Sequence, residues 1–485
     1  MSAHATSPPS EPGRTTGLSP RRLLLPLALA QFICSFAGSN MNVMITDISS
    51  DLDTTVDGVQ TTITLFLLIM AIFMIPASKL TDRWGRKRCF IGGLLLYGVG
   101  AILSALSPGL GVLILGNSVL EGVGTALLIP PVYILATIAF TDLTSRAKAF
   151  GVISGMGGIG AAAGPLIGGL ITSAISWRAA FVFQALVIVA IVLLSRGIVD
   201  PIPADPTRRF DVVGAILSGV GMLFLVLGIL QADEDLVLTA VLMAVGVAFL
   251  VWFLLYIRAQ ERAGKEPLLS TGLFRNRTSN LALVTQNTQW LLLLGTSFTV
   301  AAYLQVVRGY NAVETGVIFT AATLGILFSS LAAERLAKRY SQRTLIVAGF
   351  VLTVAGIGLL IGLVYASDAI AAFVPGLALI GLGVGTMLTP SVNVVQSSFP
   401  EALQGEISGL SRSVSNLGSS FGTAIAGTIL VSGLARGSYA LAMVSLAAFG
   451  LIGLVAALFL PGRSRRQEGP APEPAPAGAA RESAS

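Results

Sequence analysis

Charge, histidine and cysteine are all scarce in this chain of 485 residues. Only 11% of the residues are charged, against roughly 25% in a soluble domain. This scarcity excludes an ordinary cytosolic enzyme, a nucleic-acid-binding protein and a disordered chain. His4 is the only histidine, which excludes a histidine metal site, a Ser-His triad and a histidine proton relay. Cys34 and Cys89 are the only cysteines, so no disulfide framework is expected. The sequence has no ATPase phosphate-binding loop, and we predict a protein that is not an enzyme and uses no metal and no cofactor.

Apolar residues make up 54% of the chain, and the mean hydropathy is +0.83. They gather in runs of about 20, the length that a helix needs to cross a membrane. We predict an all-α polytopic membrane protein with fourteen spans. The first run is interpreted as a retained helix, because it is too long for a signal peptide. The runs cover residues 23–48, 57–79, 89–107, 112–134, 146–171, 180–197, 212–231, 236–257, 280–304, 313–334, 344–365, 370–393, 407–432 and 438–461.

Basic residues lie mostly on one side of the predicted spans. Of the 30 lysines and arginines, 26 fall on the side of the N-terminus, Arg178, Arg308 and Arg436 fall on the other side, and Arg412 lies within a span. Cytoplasmic loops of membrane proteins carry such an excess. We therefore predict a protein of the cell (inner) membrane with both termini in the cytoplasm. The same asymmetry explains the net charge of +6 without a nucleic acid partner.

The two halves of the chain repeat a common pattern. Residues 122–125 recur as 383–386, and the glycine-rich pattern of 151–168 recurs at 405–422. The matched spans lie eight apart, so the copies run parallel, as in a transporter with a midplane site. The domains expected from this repeat are a polar tail at 1–22, a six-helix bundle at 23–197, a linker at 198–279 with two inserted helices at 212–231 and 236–257, a second six-helix bundle at 280–461, and a disordered tail at 462–485.

Several motifs together carry a family resemblance. Residues 78–88 read Ser-Lys-Leu-Thr-Asp-Arg-Trp-Gly-Arg-Lys-Arg, which resembles the loop signature of the major facilitator superfamily. The glycines and proline of 160–169 resemble its antiporter signature. Phe-Asp at 210–211, with Pro-Leu-Leu at 267–269 and Leu-Phe-Arg-Asn at 273–276, is similar to the fourteen-helix drug:proton antiporter branch. The resemblance implies the major facilitator fold and multidrug efflux, a basis of antibiotic resistance.

Three positions depart from the family pattern. Ser118 stands where the fourth span usually has arginine, Glu121 stands where it has glutamine, and Ala37 stands where many relatives have aspartate in the first span. Two groups that relatives use for proton coupling or cation binding are therefore absent. Two hypotheses remain: proton-coupled export of amphipathic organic compounds by alternating access, and an uncoupled facilitator or a lipid or metabolite translocator of the same fold.

Glu121 is the sharpest candidate for a functional residue. It is the only one of 24 acidic residues near the middle of a span, where an ionised carboxylate is costly. We expect it to face a cavity or to be protonated, and to handle protons or substrate. The alternative is a structural hydrogen bond to a neighbouring helix. Ser118 and Thr125 are expected to share its helix face.

Other polar residues within the spans are candidates for a substrate site. Arg412 is the only cation within a span, and it either contacts an anionic substrate group or snorkels to the cytoplasmic surface. The resemblance implies a central cavity lined by spans 1, 4, 9 and 12, which suits an amphipathic molecule. Hydrogen bonding between helices is the alternative. The candidates in these spans are Gln31, Ser35, Asn42, Gln286, Gln289, Trp290, Thr386 and Asn393.

Two motifs are candidates for conformational change. Asp82 favours the interpretation of the loop after span 2 as a charge latch over a purely topological role, and the latch candidates are Asp82, Arg83, Gly85, Arg86 and Lys87. In span 5, glycines at every fourth position allow two helix backbones to approach closely, and a proline can kink the helix. The interpretations are a rocking contact between the halves and static packing, and the candidates are Gly160, Gly164, Pro165, Gly168 and Gly169. The expected partners are a small amphipathic substrate, protons and the lipid bilayer, and we expect a monomer.

Overall fold

The computed structural model describes residues 19–140, 143–200, 204–205, 207, 210–232, 234–367, 369–400, 403–431, 433 and 436–462. All regular structure in these ranges is helical. Most of the polar tail expected at 1–22 and nearly all of the tail expected at 462–485 lie outside the described residues.

Fourteen long helices make up most of the described chain. They are α1 (Pro20–Asn40), α2 (Val56–Trp84), α3 (Arg86–Ala105), α4 (Leu110–Ala139), α5 (Leu143–Ala174), α6 (Trp177–Leu194), α7 (Val212–Leu230), α8 (Leu236–Arg262), α9 (Arg277–Val307), α10 (Ala312–Arg339), α11 (Gln342–Ala366), α12 (Val374–Ser397), α13 (Gln404–Val431) and α14 (Arg436–Leu458). Short helices lie at Met41–Val43, Ile45–Asp51, Thr271–Arg275 and Ile370–Ala372.

The helices identify a multi-span membrane protein. Each of the fourteen predicted runs overlaps one long helix, and the first run, 23–48, continues past α1 over the short helices Met41–Val43 and Ile45–Asp51. Twelve of the described helices are long and apolar enough to cross a membrane. The helix α5 makes a thirteenth if its parts Lys148–Ala161 and Ala163–Ala174, which meet at 44°, form one span. The bend precedes Pro165, which has no N–H for the carbonyl group of residue 161. The helix α13 is 28 residues long and carries serines and threonines along its length.

Helix pairs recur eight helices apart. The helix α1 packs on α5 as α9 packs on α13, and α3 packs on α4 and α6 as α11 packs on α12 and α14. We call α1–α6 the N-terminal set and α9–α14 the C-terminal set. The two sets contact each other mainly through α2 with α13 and α5 with α10. The helices α7 and α8 pack on each other, and α7 also packs on α2 and α13.

Asp211 fixes the start of α7 to the linker that precedes α9. Its carboxylate accepts hydrogen bonds from Gly214 N at 2.8 Å and Leu268 N at 3.0 Å. The first bond caps the helix, and the second joins two sequence motifs that lie 57 residues apart. We call the end of the molecule where α1 begins the basic end, because Lys79, Arg83 and Arg86 lie there, and the other end the far end.

Candidate functional site

A small cavity lies between the two sets of helices. Its volume is about 50 Å³, which holds a few water molecules and is far below the roughly 300–1,000 Å³ of a site for a drug-sized ligand. Three of the expected cavity residues, Gln31, Ser35 and Trp290, line it, and so does Arg412, the candidate for substrate handling. The cavity is also lined by residues of α2 and α13 that were not predicted, which include Met70, Met74, Ser415, Asn416 and Ser419.

Arg412 reaches across the cavity from α13 to α4. Its Nη2 donates a hydrogen bond to the Tyr133 hydroxyl, and its guanidinium carbon lies 5.0 Å from the centre of the tyrosine ring. The Tyr133 hydroxyl donates to Gln31 Oε1 at 3.3 Å, and Gln31 Nε2 donates to Ser35 Oγ at 3.3 Å. The side chain therefore faces the cavity rather than snorkelling. Tyr133 was not predicted, although a phenol two residues after Pro131 in an apolar run was a usable signal.

The other expected cavity residues lie elsewhere. Gln286 Oε1 accepts a hydrogen bond from Ser411 at 2.8 Å, and Gln289 Oε1 accepts one from Ser391 at 2.9 Å. These are the interhelical bonds of the alternative interpretation. Thr386 donates to a carbonyl oxygen of its own helix, Leu382 O, at 2.7 Å, and Asn393 is exposed.

Asn42 helps to close the far end between α1 and α9. Its Nδ2 donates to Ser297 Oγ at 3.2 Å, and its carbonyl oxygen accepts a hydrogen bond from Gln305 Nε2 at 2.7 Å. Gln305 Oε1 also accepts a hydrogen bond from Thr46 N at 3.4 Å. Gln305 was not predicted, and its signal was an amide directly after the apolar run 280–304.

Glu121 lies within the N-terminal set and does not line the cavity. The residue is fully buried, with 0% exposure. Ser104 Oγ donates to its Oε1 and Asn117 Nδ2 donates to its Oε2, each at 3.4 Å, and Tyr97 also interacts with the carboxyl group. No salt bridge reaches it in the described part of the chain. Because every hydrogen-bond partner is neutral, the site suits a protonated carboxyl group.

The local helix geometry separates Ser118 from Glu121. Residues Ile114–Glu121 form a π-helix, a rare geometry that is frequent at functional sites. Ser118 Oγ donates to Thr62 O of α2 at 2.8 Å, whereas Glu121 contacts α3. The two side chains therefore do not share one contact face, which corrects the expectation from α-helical spacing. Thr125 is buried.

Polar groups connect the Glu121 site to the far end. Ser107 Oγ donates to Ser104 O at 2.8 Å, and Arg178 Nη2 donates to Ser107 O at 3.0 Å. Arg178 also forms an ion pair with the exposed Asp51. The hydrogen bond from Arg178 lowers the pKa of Asp51 below its ordinary value, so the pair persists to a more acidic pH than an ordinary aspartate would allow.

The loop after α2 is held within its own half of the chain. Arg86 Nη2 pairs with Asp82 Oδ1 at 2.9 Å, and Asp200 Oδ2 accepts a hydrogen bond from Arg86 N at 2.5 Å and one from Lys87 N at 3.4 Å. Gly85 has a φ of 95°, a region that favours glycine. Arg83 lies beside Glu266 in a small surface pocket. None of these contacts reaches the C-terminal set, and the charge latch stays a prediction for these residues.

Two neighbouring residues make the contact with the C-terminal set instead. Lys79 Nζ pairs with Glu406 Oε1 at 2.7 Å, and Ser78 Oγ donates to Gly405 O at 3.0 Å. Glu406 Oε2 also accepts a hydrogen bond from Ser270 N at 2.9 Å. The link therefore joins α2, α13 and the linker before α9 at the basic end.

We expect the Lys79–Glu406 pair to bias the opening of the basic end only weakly. Both side chains are partly exposed, at 26% and 20%, and such pairs contribute about 0.2–1 kcal/mol, less at high salt. A double-mutant cycle with Lys79→Gln and Glu406→Gln measures this coupling. The open population of each variant is obtained from the distance between spin labels at the basic end. Glutamine at 406 can still accept the Ser270 bond. A zero coupling energy at low salt would show that the pair is no latch.

The glycines of α5 serve two different contacts. A Cβ atom at Gly160 would lie 2.3 Å from Phe32 O, and one at Gly164 would lie 2.0 Å from Ser39 Oγ, both on α1 of the same set. Gly168 likewise faces Asn40 of α1. A Cβ atom at Gly169 would instead lie 2.3 Å from Ala312 O of α10.

The contact between the two sets is therefore made by a different part of the motif. A Cβ atom at Gly316 of α10 would lie only 2.6 Å from Pro165 O of α5. Val313 N of α10 also donates a hydrogen bond to Ser173 Oγ of α5 at 3.2 Å. Gly160, Gly164 and Gly168 pack within the N-terminal set, and Pro165 and Gly169 close the far end against α10.

Comparison with known proteins agrees with this architecture. The family model described as "Major Facilitator Superfamily" matches residues 27–423 and 287–484. The multidrug resistance protein Stp of Mycobacterium tuberculosis is 28% identical over 417 residues, 85% of this chain and 76% of the relative. A puromycin resistance protein of Streptomyces alboniger is 30% identical over 432 residues, 87% of this chain and 84% of the relative. The multidrug efflux pump LfrA of Mycolicibacterium smegmatis is 29% identical over 369 residues, 76% of this chain and 72% of the relative.

Proposed function

Because the chain belongs to the major facilitator superfamily, we propose that it exports amphipathic organic compounds from a bacterial cell in exchange for protons. In this proposal the chain crosses the cell membrane fourteen times with both termini in the cytoplasm, so the basic end is the cytoplasmic end and the far end is the outer end. The N-terminal and C-terminal sets form two six-helix bundles that rock about the cavity. The protein acts as a monomer.

The observation that carries the proposal is the position of Glu121. A carboxyl group that is fully buried among neutral partners is stable when protonated and costly when ionised. Its ionised form therefore favours a conformation that admits water. A proton that binds and leaves at this site shifts the balance between two conformations.

The surroundings of Glu121 favour proton entry from the outer end. Helix side chains point back toward the start of their helix, and α4 starts at the outer end. The carboxyl group therefore contacts Ser104, which precedes the last residue of α3. Hydrogen bonds through Ser107 and Arg178 extend from Ser104 to the outer surface. A proton taken up from outside matches the direction of the proton gradient in an exporter.

Coupling to the cavity runs through α1. The Tyr97 hydroxyl, which interacts with Glu121, donates to Ile33 O of α1 at 3.5 Å, and the next residue, Cys34, lines the cavity. A change at the proton site thus acts on a helix that also forms the substrate site. In the conformation described here the outer end is closed and Glu121 is buried, which is the arrangement that the protonated form favours.

The substrate class rests on the cavity and on the relatives. The cavity walls combine amides and an arginine with leucine, methionine and tryptophan side chains, which suits a molecule with one polar and one apolar part. The two sets must separate to admit such a molecule, because the cavity holds only about 50 Å³. Relatives named for multidrug and puromycin resistance support export.

Reconstituted protein tests the coupling. Proteoliposomes are loaded with a panel of fluorescent amphipathic dyes of either charge and given an imposed pH gradient. We expect dye movement that follows the gradient and collapses with a protonophore. Dye movement that does not depend on the pH gradient would favour the uncoupled facilitator or lipid translocator. Ser118 and Ala37 support that alternative, because they stand where relatives have an arginine and an aspartate.

A further inference from the structure

We infer that the cavity selects amphipathic compounds that carry an acidic group, with Arg412 and Asn416 binding the acid. The inference rests on the proposed transport function and adds the chemical class of the substrate. Arg412 carries the only charge among the cavity-lining residues that the structure describes. None of these described lining residues is an aspartate or a glutamate, so the cavity attracts anions and repels cations.

A second donor lies one helical turn from Arg412. Asn416 is four residues further along α13, on the same helix face. Its Nδ2 atom is buried and has no hydrogen-bond partner among the described residues. A buried donor without a partner is costly, and a ligand oxygen would remove that cost. The guanidinium group and this amide together offer donors to the two oxygens of a carboxylate.

The rest of the cavity fits the apolar part of such a compound. Leu67, Met70 and Met74 of α2 and Leu294 of α9 form apolar walls, and Trp290 adds an aromatic surface. Methionine side chains adapt to ligands of different shape. The acidic group is therefore held by charge and hydrogen bonds, while the apolar part is recognised only loosely.

Binding of an acid at this site also acts on the contact between the two sets. In the structure one N–H group of Arg412 donates a hydrogen bond to the Tyr133 hydroxyl, and this bond links α13 to α4. A carboxylate competes for the guanidinium group because a charged acceptor binds it more strongly than a phenol does. Substrate binding thereby weakens a link across the cavity, so the same residue that selects the substrate helps to release the conformation.

Two xanthene dyes of similar size and opposite charge test the inference. Fluorescein carries acidic groups, and a rhodamine methyl ester carries a fixed positive charge. Binding to the full-length protein in lipid nanodiscs is followed by fluorescence anisotropy, with empty nanodiscs subtracted. We expect fluorescein to bind at least about tenfold more tightly than the rhodamine ester, and Arg412→Gln to remove that preference.

Further variants separate charge from geometry. Arg412→Lys keeps the charge without the fork of donors and is expected to retain part of the preference. Asn416→Ala is expected to weaken fluorescein binding about 2- to 10-fold. Arg258→Gln makes the same charge change at an exposed residue of α8 and is expected to change nothing.

The outcomes distinguish this inference from the transport function. Binding needs no proton gradient, so a charge preference lost in Arg412→Gln supports the inference even if coupled transport fails. Equal or tighter binding of the rhodamine ester, no binding of fluorescein, or an unchanged preference in Arg412→Gln would overturn it.

Discussion

Replacing Glu121 with glutamine is expected to abolish the accumulation of substrate driven by a pH gradient. Glutamine has the shape of a protonated glutamate, and its oxygen can accept from Asn117 while its NH2 group donates to the Ser104 hydroxyl, but it cannot release a proton. For a one-for-one exchange, the wild type builds a substrate ratio of about tenfold per pH unit. In Glu121→Gln the ratio should fall to about one. Substrate affinity should change by less than about threefold, because Glu121 does not line the cavity.

A matched control separates this effect from a general loss of carboxylates. Glu314 is an exposed residue in the capping box at the start of α10, and glutamine preserves such a capping box. Glu314→Gln should transport like the wild type. Gradient-driven accumulation that persists in Glu121→Gln would assign Glu121 the structural role and move the coupling site elsewhere.

Replacing Gly169 with valine is expected to force the outer end open. A Cβ atom at this position would lie 2.3 Å from the backbone oxygen of Ala312, so α5 and α10 must move apart. Overpacking of this kind destabilises the closed conformation by about 1–3 kcal/mol. The ratio of open to closed molecules therefore rises by about 5- to 150-fold. Spin labels at Ile175→Cys and Val317→Cys, in a variant with Cys34 and Cys89 replaced by alanine, report the separation. Both labelled positions are exposed, at 76% and 55%.

Two other glycines of α5 serve as controls. Gly158 has no atom within 4 Å of an added Cβ, so Gly158→Ala should leave the distances unchanged. Gly164 contacts Ser39 within the N-terminal set, so Gly164→Val should lower thermal stability without lengthening the distance between the labels. An identical distance distribution in folded Gly169→Val and wild type would show that this contact does not hold the outer end closed.

The positions of the helices were predictable because membrane spans are set by the length and apolarity of single runs. Each of the fourteen runs, including the one at 407–432, overlaps a long helix. The pairing of helices eight apart also followed from sequence, since the glycine patterns of 151–168 and 405–422 match.

The side-chain partners were less predictable, because they depend on packing between distant helices. Glu121 was singled out correctly as a buried carboxyl group, but the π-helix at Ile114–Glu121 changes the helical phase, so Ser118 turns to α2. Gln286 and Gln289 look like cavity residues in a helical projection, and only the packing of α9 on α12 and α13 shows that they bond between helices. Tyr133 has no polar neighbours in sequence, and its role depends on Arg412, 279 residues away.

The most direct test of the account is the pH dependence of the distance between the labels at Ile175→Cys and Val317→Cys. Protonation of Glu121 favours the closed outer end, so the open population of the wild type should grow as the pH rises. In Glu121→Gln the outer end should stay closed at every pH, and Glu314→Gln should follow the wild type. An undiminished pH response in Glu121→Gln would contradict the claim that this carboxyl group couples protons to the conformational change.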